Sequence, residues 1–344
     1  MRTAVVICPG RGTYGKAELG TLVRHFKNPG LMAQFDARRA ALGQETLTAL
    51  DGAATYSVAK HTRGDNASAL IYAATIADFA ALRDVDILAV TGNSMGWYSA
   101  LACAGALTPA SGFDVVNTMG TLMQEHLIGG QLIHPFMDEA WLANPARKAE
   151  LLVLVEQINM QAGYSLALSI NLGGMLVLAG NDAGLAAFEA AVPVAQGRFP
   201  MRLANHAAFH TGLQAPVAAQ GRGKLSASVF SQPKYPLIDG RGAIWWPHAT
   251  DTDALWDYTL GQQVTEPYDF THAITVAARE FAPDLFIITG PGTTLGGAVA
   301  QSLILANWPG LASKSDFQTA QQSAPFMISM GMEDQRGLVT GETS

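Results

Sequence analysis

Two hydrophobic rhythms run along this chain: short continuous apolar runs, and longer stretches in which apolar residues recur at helical spacing. The opening run Ala4–Cys8 (AVVIC) is continuous and β-branched, and Pro9-Gly10 breaks it, the pattern of a buried strand emptying into a loop. Ala67 to Leu82 (ASALIYAATIADFAAL) repeats at helical spacing and holds a single charge, Asp78, which predicts a helix buried on most sides. Val85 to Val90 (VDILAV) reads as a central strand. Thr91-Gly92-Asn93-Ser94-Met95-Gly96 follows, and then a small-residue helix from Trp97 to Gly105. Strand, glycine turn and helix in that order make a βα unit of a parallel sheet.

A further helix, from about Ser111 to Ile128, ends at Gly129-Gly130. From there to about Ala204 the texture changes. A charged helix (NPARKAELLVLVEQINMQAG) precedes two strand-like runs, SLALSIN and GMLVLAG, separated by Leu172-Gly173-Gly174; another helix (DAGLAAFEAAV) and a closing strand (GRFPMRLA) complete the segment. This content predicts a small ferredoxin-like subdomain inserted into a larger α/β domain built on a parallel sheet. Phe281 to Thr289 (FAPDLFIIT) resumes the parent sheet, and Gly290-Pro291-Gly292 leads into a helix from Leu295. The predicted division is a core domain over 1–128 and 205–344 and an insert over 129–204. The end of the chain reads as mixed, with Met327, Met330 and Met332 ahead of a polar tail from Glu333.

Composition narrows the function classes. The chain is 49% hydrophobic and 14% charged, well under the roughly 25% charge of an average soluble protein, which excludes disorder and coiled coil. A net charge of -7 leaves no basic excess to displace phosphate counterions, so nucleic acid is not an expected partner. Cys8 and Cys103 stand far apart in apolar contexts, as packed thiols do in a reducing cytoplasm; neither a disulfide framework nor a metal site is expected. The apolar run at the start is too short for a signal peptide, and no stretch reaches the eighteen or so apolar residues of a membrane span. A soluble, cytoplasmic protein is expected.

Two glycine loops carry candidate chemistry. Gly10-Arg11-Gly12-Thr13-Tyr14-Gly15 fits G-x-G-x-x-G after a strand, a dinucleotide signature that asks for an acid about twenty positions on, where Asp36 stands. The segment around Asp36 is rich in helix formers and does not read as the strand that should deliver it. The same loop nearly satisfies a phosphate loop through Gly10, Gly15 and Lys16, but position 17 is Ala, which offers no magnesium ligand. A simple glycine turn is the third reading. Gly92-Asn93-Ser94-Met95-Gly96 is sharper: G-x-S-x-G between strand and helix is a nucleophile elbow, which pushes Ser94 clear of the sheet at a helix start. The alternative is a strand-to-helix turn with Ser94 as an N-cap. A serine nucleophile needs a base, and His206 and His210 sit where the insert returns to the main sheet, the place for a cleft. His25, His61, His126 and His134 lie in polar or helical contexts without such a turn.

At this point the residues resemble the malonyl-CoA:acyl-carrier-protein transacylases and the acyltransferase domains of polyketide synthases, over about Val5 to Ile304. Pro9-Gly10-Arg11-Gly12 is similar to that family's P-G-Q-G loop, Gly92 to Ala100 to its G-H-S-L-G-E-Y-S-A elbow, and Ala204 to Thr211 to a segment ending in A-P-F-H-S. Leu122-Met123-Gln124, Asn171 before Gly174, and Gly290-Pro291-Gly292 fall on further landmarks in order. The resemblance implies an α/β-hydrolase-like large domain with a ferredoxin-like insert. It implies Ser94 as nucleophile and His210, not His206, as base. The N–H groups of Met95 and Arg11 become oxyanion donors, and the carbonyl of Gln263 orients the histidine. No bound cofactor or metal is implied; acyl-CoA is the substrate and the phosphopantetheine arm of an acyl carrier protein the acceptor, with the enzyme a monomer.

The departures bear on the substrate. The acyl pocket is expected at Met119, Asn93 and Asn171, and Met119 stands where malonyl-selective members carry an arginine that pairs with the free carboxylate. A thioether cannot neutralise a carboxylate, so an uncharged acyl group is expected. Asn93 replaces His, Trp97 replaces Glu, and Ala67-Ser68 stands for a usual Gln-Pro pair. Arg11 replaces a glutamine beside the site, where it offers a cation from the opposite side. Hydrolysis of acyl thioesters, a catalytically reduced scaffold and an α/β-hydrolase esterase are the competing readings.

Overall fold

The structure, a computed structural model, describes residues 1–341. The first two strands are β1 (Arg2–Cys8) and β2 (Val85–Gly92). β3 (Gly130–Pro135), β4 (Leu166–Leu172), β5 (Met175–Gly180) and β6 (Met201–Arg202) follow as a group. β7 (Leu237–Ile238), β8 (Ile244–Trp245), β9 (Tyr268–Asp269), β10 (Leu285–Ile288) and β11 (Met327–Ser329) come last. Ala4 through Cys8 are completely buried, as a continuous apolar run must be when helices cover both faces of a parallel sheet. That run is the axis of a six-stranded sheet in the order β11-β10-β1-β2-β7-β8, parallel except for β8. Helix Gly64–Ala81, buried along nearly its whole length, and helix Pro109–His126 pack together beside it.

The second sheet runs β6-β3-β5-β4-β9. With helices Pro145–Asn159 and Asp182–Ala191, β3 to β6 spell β-α-β-β-α-β, the ferredoxin-like order. The fold is therefore α/β, a large α/β-hydrolase-like part and a small ferredoxin-like part. Two details depart from the sequence reading. β3 (GQLIHP) is an additional strand, whose Gly, Gln, His and Pro hide its partly apolar face; it forms because β5 and β6 pair with it on either side. The closing strand expected over 197–204 is only Met201–Arg202. The fifth strand, β9, comes from far along the chain and pairs parallel with β4 through Ile170↔Tyr268 and Asn171↔Asp269.

The stretch from 205 to 281 holds helices Ala215–Lys224, Thr252–Leu260 and Phe270–Phe281 with the short β7–β8 pair. The mixed C-terminal region resolves into helix Lys314–Ser323, β11 and helix Glu333–Thr340. Arg336 of that last helix pairs with buried Asp78, whose other oxygen accepts the N–H of Gly290 at 2.8 Å. Among the described residues no helix is long and apolar enough to cross a membrane.

Candidate active site

β2 delivers Ser94 and the turn that follows is tight. A Cβ on Gly92 would lie 2.2 Å from the Gly96 carbonyl oxygen, and one on Gly96 would lie 2.2 Å from the carbonyl oxygen of Cys8. A side chain at Gly92 would force the end of β2 from the helix start, and one at Gly96 would force the helix start from the end of β1, so the glycines are what allow the approach. Ser94 itself has φ 55°, the left-handed conformation that costs a non-glycine residue of order 1–3 kcal/mol and recurs at functional turns. Helix Gly96–Cys103 starts directly behind it.

The Ser94 hydroxyl meets His210 Nε2 at 2.7 Å. His210 Nδ1 lies 2.6 Å from the backbone oxygen of Gln263; a carbonyl only accepts, so Nδ1 carries the proton and the Nε2 lone pair faces Ser94. The Gln263 side chain closes the arrangement: its Nε2 donates to the Ser94 carbonyl at 3.0 Å, and its Oε1 accepts the Tyr98 hydroxyl at 3.0 Å. Burial lowers the His210 pKa to about 4, against a raising influence from the Gln263 carbonyl, so the imidazole is neutral at pH 7. His206 does not reach Ser94; its Nδ1 donates to the Ala204 carbonyl at 2.9 Å. Among the described residues neither the N–H of Met95 nor that of Arg11 has a partner.

Two spaces open from Ser94. A cleft of about 520 Å³ runs between the glycine loop at residues 10–13 and the face of the second sheet, which presents Ile133, Ile170, Leu172 and Val177. Asn93 lines this cleft, and its buried Oδ1 has no hydrogen-bond partner among the described residues. A separate inner cavity of about 20 Å³ is lined by residues that include Ser94, His210, Arg11, Ser68, Gly120 and Met123. A third space of about 240 Å³ meets the other two at Arg11.

Two expected pocket residues lie elsewhere. Met119 is fully buried, and its sulfur sits where a Cβ on Gly221 would come within 2.6 Å; the helix instead turns Gly120 and Met123 to the cavity, because successive helical positions are rotated by about 100°. Asn171 falls between Ile170 and Leu172, and since strand side chains alternate, it leaves the cleft face. Its amide bridges Lys148 Nζ at 3.0 Å and Asp269 Oδ1 at 2.8 Å.

Neither nucleotide reading of the first glycine loop fits. The loop leads into the single turn Lys16–Glu18, and Asp36 lies in helix Pro29–Ala41, where its carboxylate accepts the N–H of Leu47 at 2.7 Å. Of the remaining histidines, His61 is stacked between Tyr14 and Tyr56, and His134 is buried edge-on to Phe188. The sequence reading did not single out Tyr98 as a site residue, nor Tyr268, whose hydroxyl reaches the Gly92 carbonyl at 2.5 Å and whose ring lies 5.4 Å from that of His210. Tyr98 sits inside the elbow motif; Tyr268 carries no local sign of its place.

No protein-family model matches the chain. It is 26% identical to the malonyl-CoA:acyl-carrier-protein transacylase of Salmonella typhimurium over 211 residues, 60% of this chain and 63% of that protein. Polyketide synthase GfsB of Streptomyces halstedii is 26% identical over 207 residues, 60% of this chain and 3% of the synthase. The chain thus spans somewhat less than two thirds of the curated transacylase. In fold, the malonyl-CoA:acyl-carrier-protein transacylase of Xanthomonas oryzae superposes with TM-score 0.74 at 18% identity, covering 100% of this chain and 99% of that one. A type II polyketide malonyl-transacylase, PlMCAT, solved in complex with its acyl-carrier protein AntF, gives TM-score 0.69 at 20% identity over 94% of this chain and 100% of that one. The chain carries the fold of the malonyl-CoA:acyl-carrier-protein transacylases and resembles that family, and the polyketide-synthase acyltransferases, in sequence.

Proposed function

We propose that this protein is a serine acyltransferase that moves an acyl group from acyl-CoA, through an acyl-Ser94 ester, to the phosphopantetheine thiol of an acyl carrier protein, with no cofactor. The observation that carries this reading is the buried relay Ser94 Oγ–His210 Nε2 at 2.7 Å and His210 Nδ1–Gln263 O at 2.6 Å, open to a cleft. His210 Nε2 takes the Ser94 proton as Oγ bonds to the thioester carbonyl carbon. The carbon–sulfur bond then breaks, and the departing thiolate receives that proton from His210. In the second half the carrier thiol gives its proton to His210, attacks the ester, and Ser94 Oγ leaves and is reprotonated. The unpartnered N–H groups of Met95 and Arg11 are the oxyanion donors in this reading. The cleft leads an extended thioester arm to Ser94, and the complex of the related transacylase with its carrier protein supports a carrier as the second substrate.

The sequence-based preference for an uncharged acyl group rested on Met119. In this reading the acyl group instead meets residues that line the spaces around Ser94, with Gly120, Met123, Phe209 and Arg11 among them.

The test is intact-mass and peptide mapping after incubation with a panel of acyl-CoAs, followed by addition of a phosphopantetheinylated carrier protein. One acyl mass on Ser94, removed by the carrier thiol, is the expected result. Ser94→Ala should lose on the order of 10³-fold or more of turnover; transfer retained in that variant rules the mechanism out. An adduct that decays at the same rate with and without carrier identifies a hydrolase.

A further inference from the structure

The peptide that carries His210 is strained and pinned on both sides. His210 has φ 58°, a left-handed conformation that a non-glycine residue keeps only where its surroundings over-determine it. Its N–H donates to the Val264 carbonyl at 3.1 Å, next to the Gln263 carbonyl that holds the imidazole. The other half of the same peptide, the Phe209 carbonyl, accepts the Ser169 hydroxyl at 2.8 Å. Ser169 belongs to β4 of the insert and reaches Phe209 through a bulge: Leu168 pairs with Leu178 and Ile170 with Val177, so Ser169 is an extra residue in the ladder. Bulges beside active sites serve to re-aim one side chain.

Behind Ser169 stands Gln131 of β3, whose Nε2 donates to Ser169 Oγ at 2.7 Å. Both residues are buried. Gln131 lies opposite Ala179 of β5, a side chain small enough to let the amide cross to β4. The direction of the chain is fixed. A carbonyl only accepts, so the Ser169 proton goes to Phe209, Ser169 Oγ accepts from Gln131, and the amide must turn its nitrogen to Ser169. Gln131 Oε1 is left without a hydrogen-bond partner among the described residues, on a side chain that lines the cleft beside the apolar Ile133, Ile170 and Val177. We propose that Ser169 and Gln131 are positioning residues for His210, and that a secondary-amide N–H on the arm of the bound thioester completes their relay at Gln131 Oε1. The inference rests on the acyl-Ser94 reading and adds to it a way for the arm to act on the base. All donors then point the same way, from the arm through Gln131 and Ser169 to the Phe209 carbonyl, the arrangement in which hydrogen bonds strengthen one another. An arm with only ether or ester oxygens at that place has no proton to give and leaves the relay incomplete.

The experiment uses two thioesters of one acyl group, the N-acetylcysteamine thioester and its S-(2-acetoxyethyl) counterpart, in which an ester oxygen replaces the amide N–H. Single-turnover acylation of Ser94 is followed against thioester concentration in wild type, Ser169→Ala, Ser169→Thr and Gln131→Leu, each shown by circular dichroism to be folded. Wild type should load the amide about three- to tenfold faster than the ester at saturation, the scale of one neutral hydrogen bond. Ser169→Ala should slow saturated loading of the amide by roughly 10- to 100-fold, the scale of a misplaced catalytic group, with the half-saturating concentration little changed and the preference for the amide gone. Gln131→Leu should lose the preference with a smaller fall in rate, and Ser169→Thr, which keeps the hydroxyl, should retain most of both. A residue that served the fold alone would leave the saturated rate of the folded variant as in wild type. That outcome in Ser169→Ala, or a wild-type preference expressed only in the half-saturating concentration, overturns the proposal. If no thioester acylates Ser94, the acyl-transfer reading fails by itself, and proton NMR then judges the relay. The His210 Nδ1 proton, in its 2.6 Å bond to Gln263, should give a downfield resonance in wild type and Ser169→Thr that broadens or vanishes in Ser169→Ala; a resonance unchanged in Ser169→Ala overturns the positioning role.

Discussion

The residues that line the inner cavity fall into two sets built on opposite plans. Around Ser94 the polar groups form a closed set: the serine hydroxyl engages His210, His210 engages the Gln263 backbone, and the Gln263 amide returns to the Ser94 carbonyl and to Tyr98. Elsewhere in its lining, among the described residues, Arg11 Nε and Ser68 Oγ have no hydrogen-bond partner, and in the adjoining cleft neither has Asn93 Oδ1. A satisfied network fixes geometry, because moving any member breaks several bonds at once. An unsatisfied buried group does the reverse, and stays costly until something from outside supplies the missing bond. In the proposed acyl transfer the closed set around Ser94 is the part that performs the chemistry.

This contrast is open to attack at three depths. The largest effect is expected at His210. His210→Ala should lose as much acyl loading as Ser94→Ala, on the order of 10³-fold, and the double variant should lose little more, because the pair works as one unit; additive losses would show that the closed set is not a unit. The same residue predicts a pH profile. With a pKa lowered to about 4, the imidazole stays neutral and competent down to that region, so single-turnover loading should remain level from pH 8 to about 5 and decline only as pH falls through 4. Loss centred near 6.5 would mean a solvated base. Acid also works against the fold: the unfolded chain protonates His210, and His134, likewise lowered to about 4, before the folded chain does, so stability decreases as pH falls below 6.5. Loading is therefore read on protein shown by circular dichroism to be folded at each pH.

A smaller effect is expected from Gln263→Ala. The backbone carbonyl that orients His210 remains, while the side-chain ties to Ser94 and Tyr98 are lost. Acylation kcat should drop by about tenfold, short of the roughly 100-fold that a 1 Å misplacement can bring. An unchanged kcat would mean that the side-chain ties do not hold Ser94 in place. The smallest effect is one of stability and opposite in sign. Ser68→Ala removes a hydroxyl that has no hydrogen-bond partner among the described residues, and should raise the melting temperature of the ligand-free protein by about 1–2 °C, of the order of 1 kcal/mol or less in a chain of this size. A lowered melting temperature would show that Ser68 has a partner in solution.

The same contrast explains which parts were legible in the sequence. β1, β2 and the Ser94 elbow are local: a continuous apolar run, glycines and a small-residue helix leave one arrangement open, and Gly92 and Gly96 admit no side chain. The chain junction pointed to His206 and His210 alike, and only the resemblance of the A-A-F-H-T segment to the family's A-P-F-H-S singled out His210, the one that meets Ser94. What escaped is set by rotation and by distant partners. Helical position 119 is separated from 120 by the roll of the helix, and strand position 171 from 170 by alternation, so a motif locates the residue and not the direction of its side chain. β3, with Gly, Gln, His and Pro among its six residues, has little hydrophobic signature and depends on β5 and β6. The unsatisfied state of Arg11 and Ser68 is a property of the assembled cavity, and no pattern along the chain encodes it.

The two-residue strand β9 matters to anyone who would exchange parts of this protein with a relative. Residues 129–204 look transplantable, since β3 to β6 and two helices make a complete ferredoxin-like unit. Yet the outer edge of β4 is covered by Tyr268 and Asp269, which such a graft would leave behind. An uncovered strand edge is a template for pairing with other chains. A chimera cut at those points would be prone to self-association unless its host offered an equivalent of β9, together with a tyrosine to reach the end of β2. The practical unit of exchange is thus discontinuous, and a swap that carries residues 268–269 along with the insert should yield a monodisperse chimera where the simple graft aggregates.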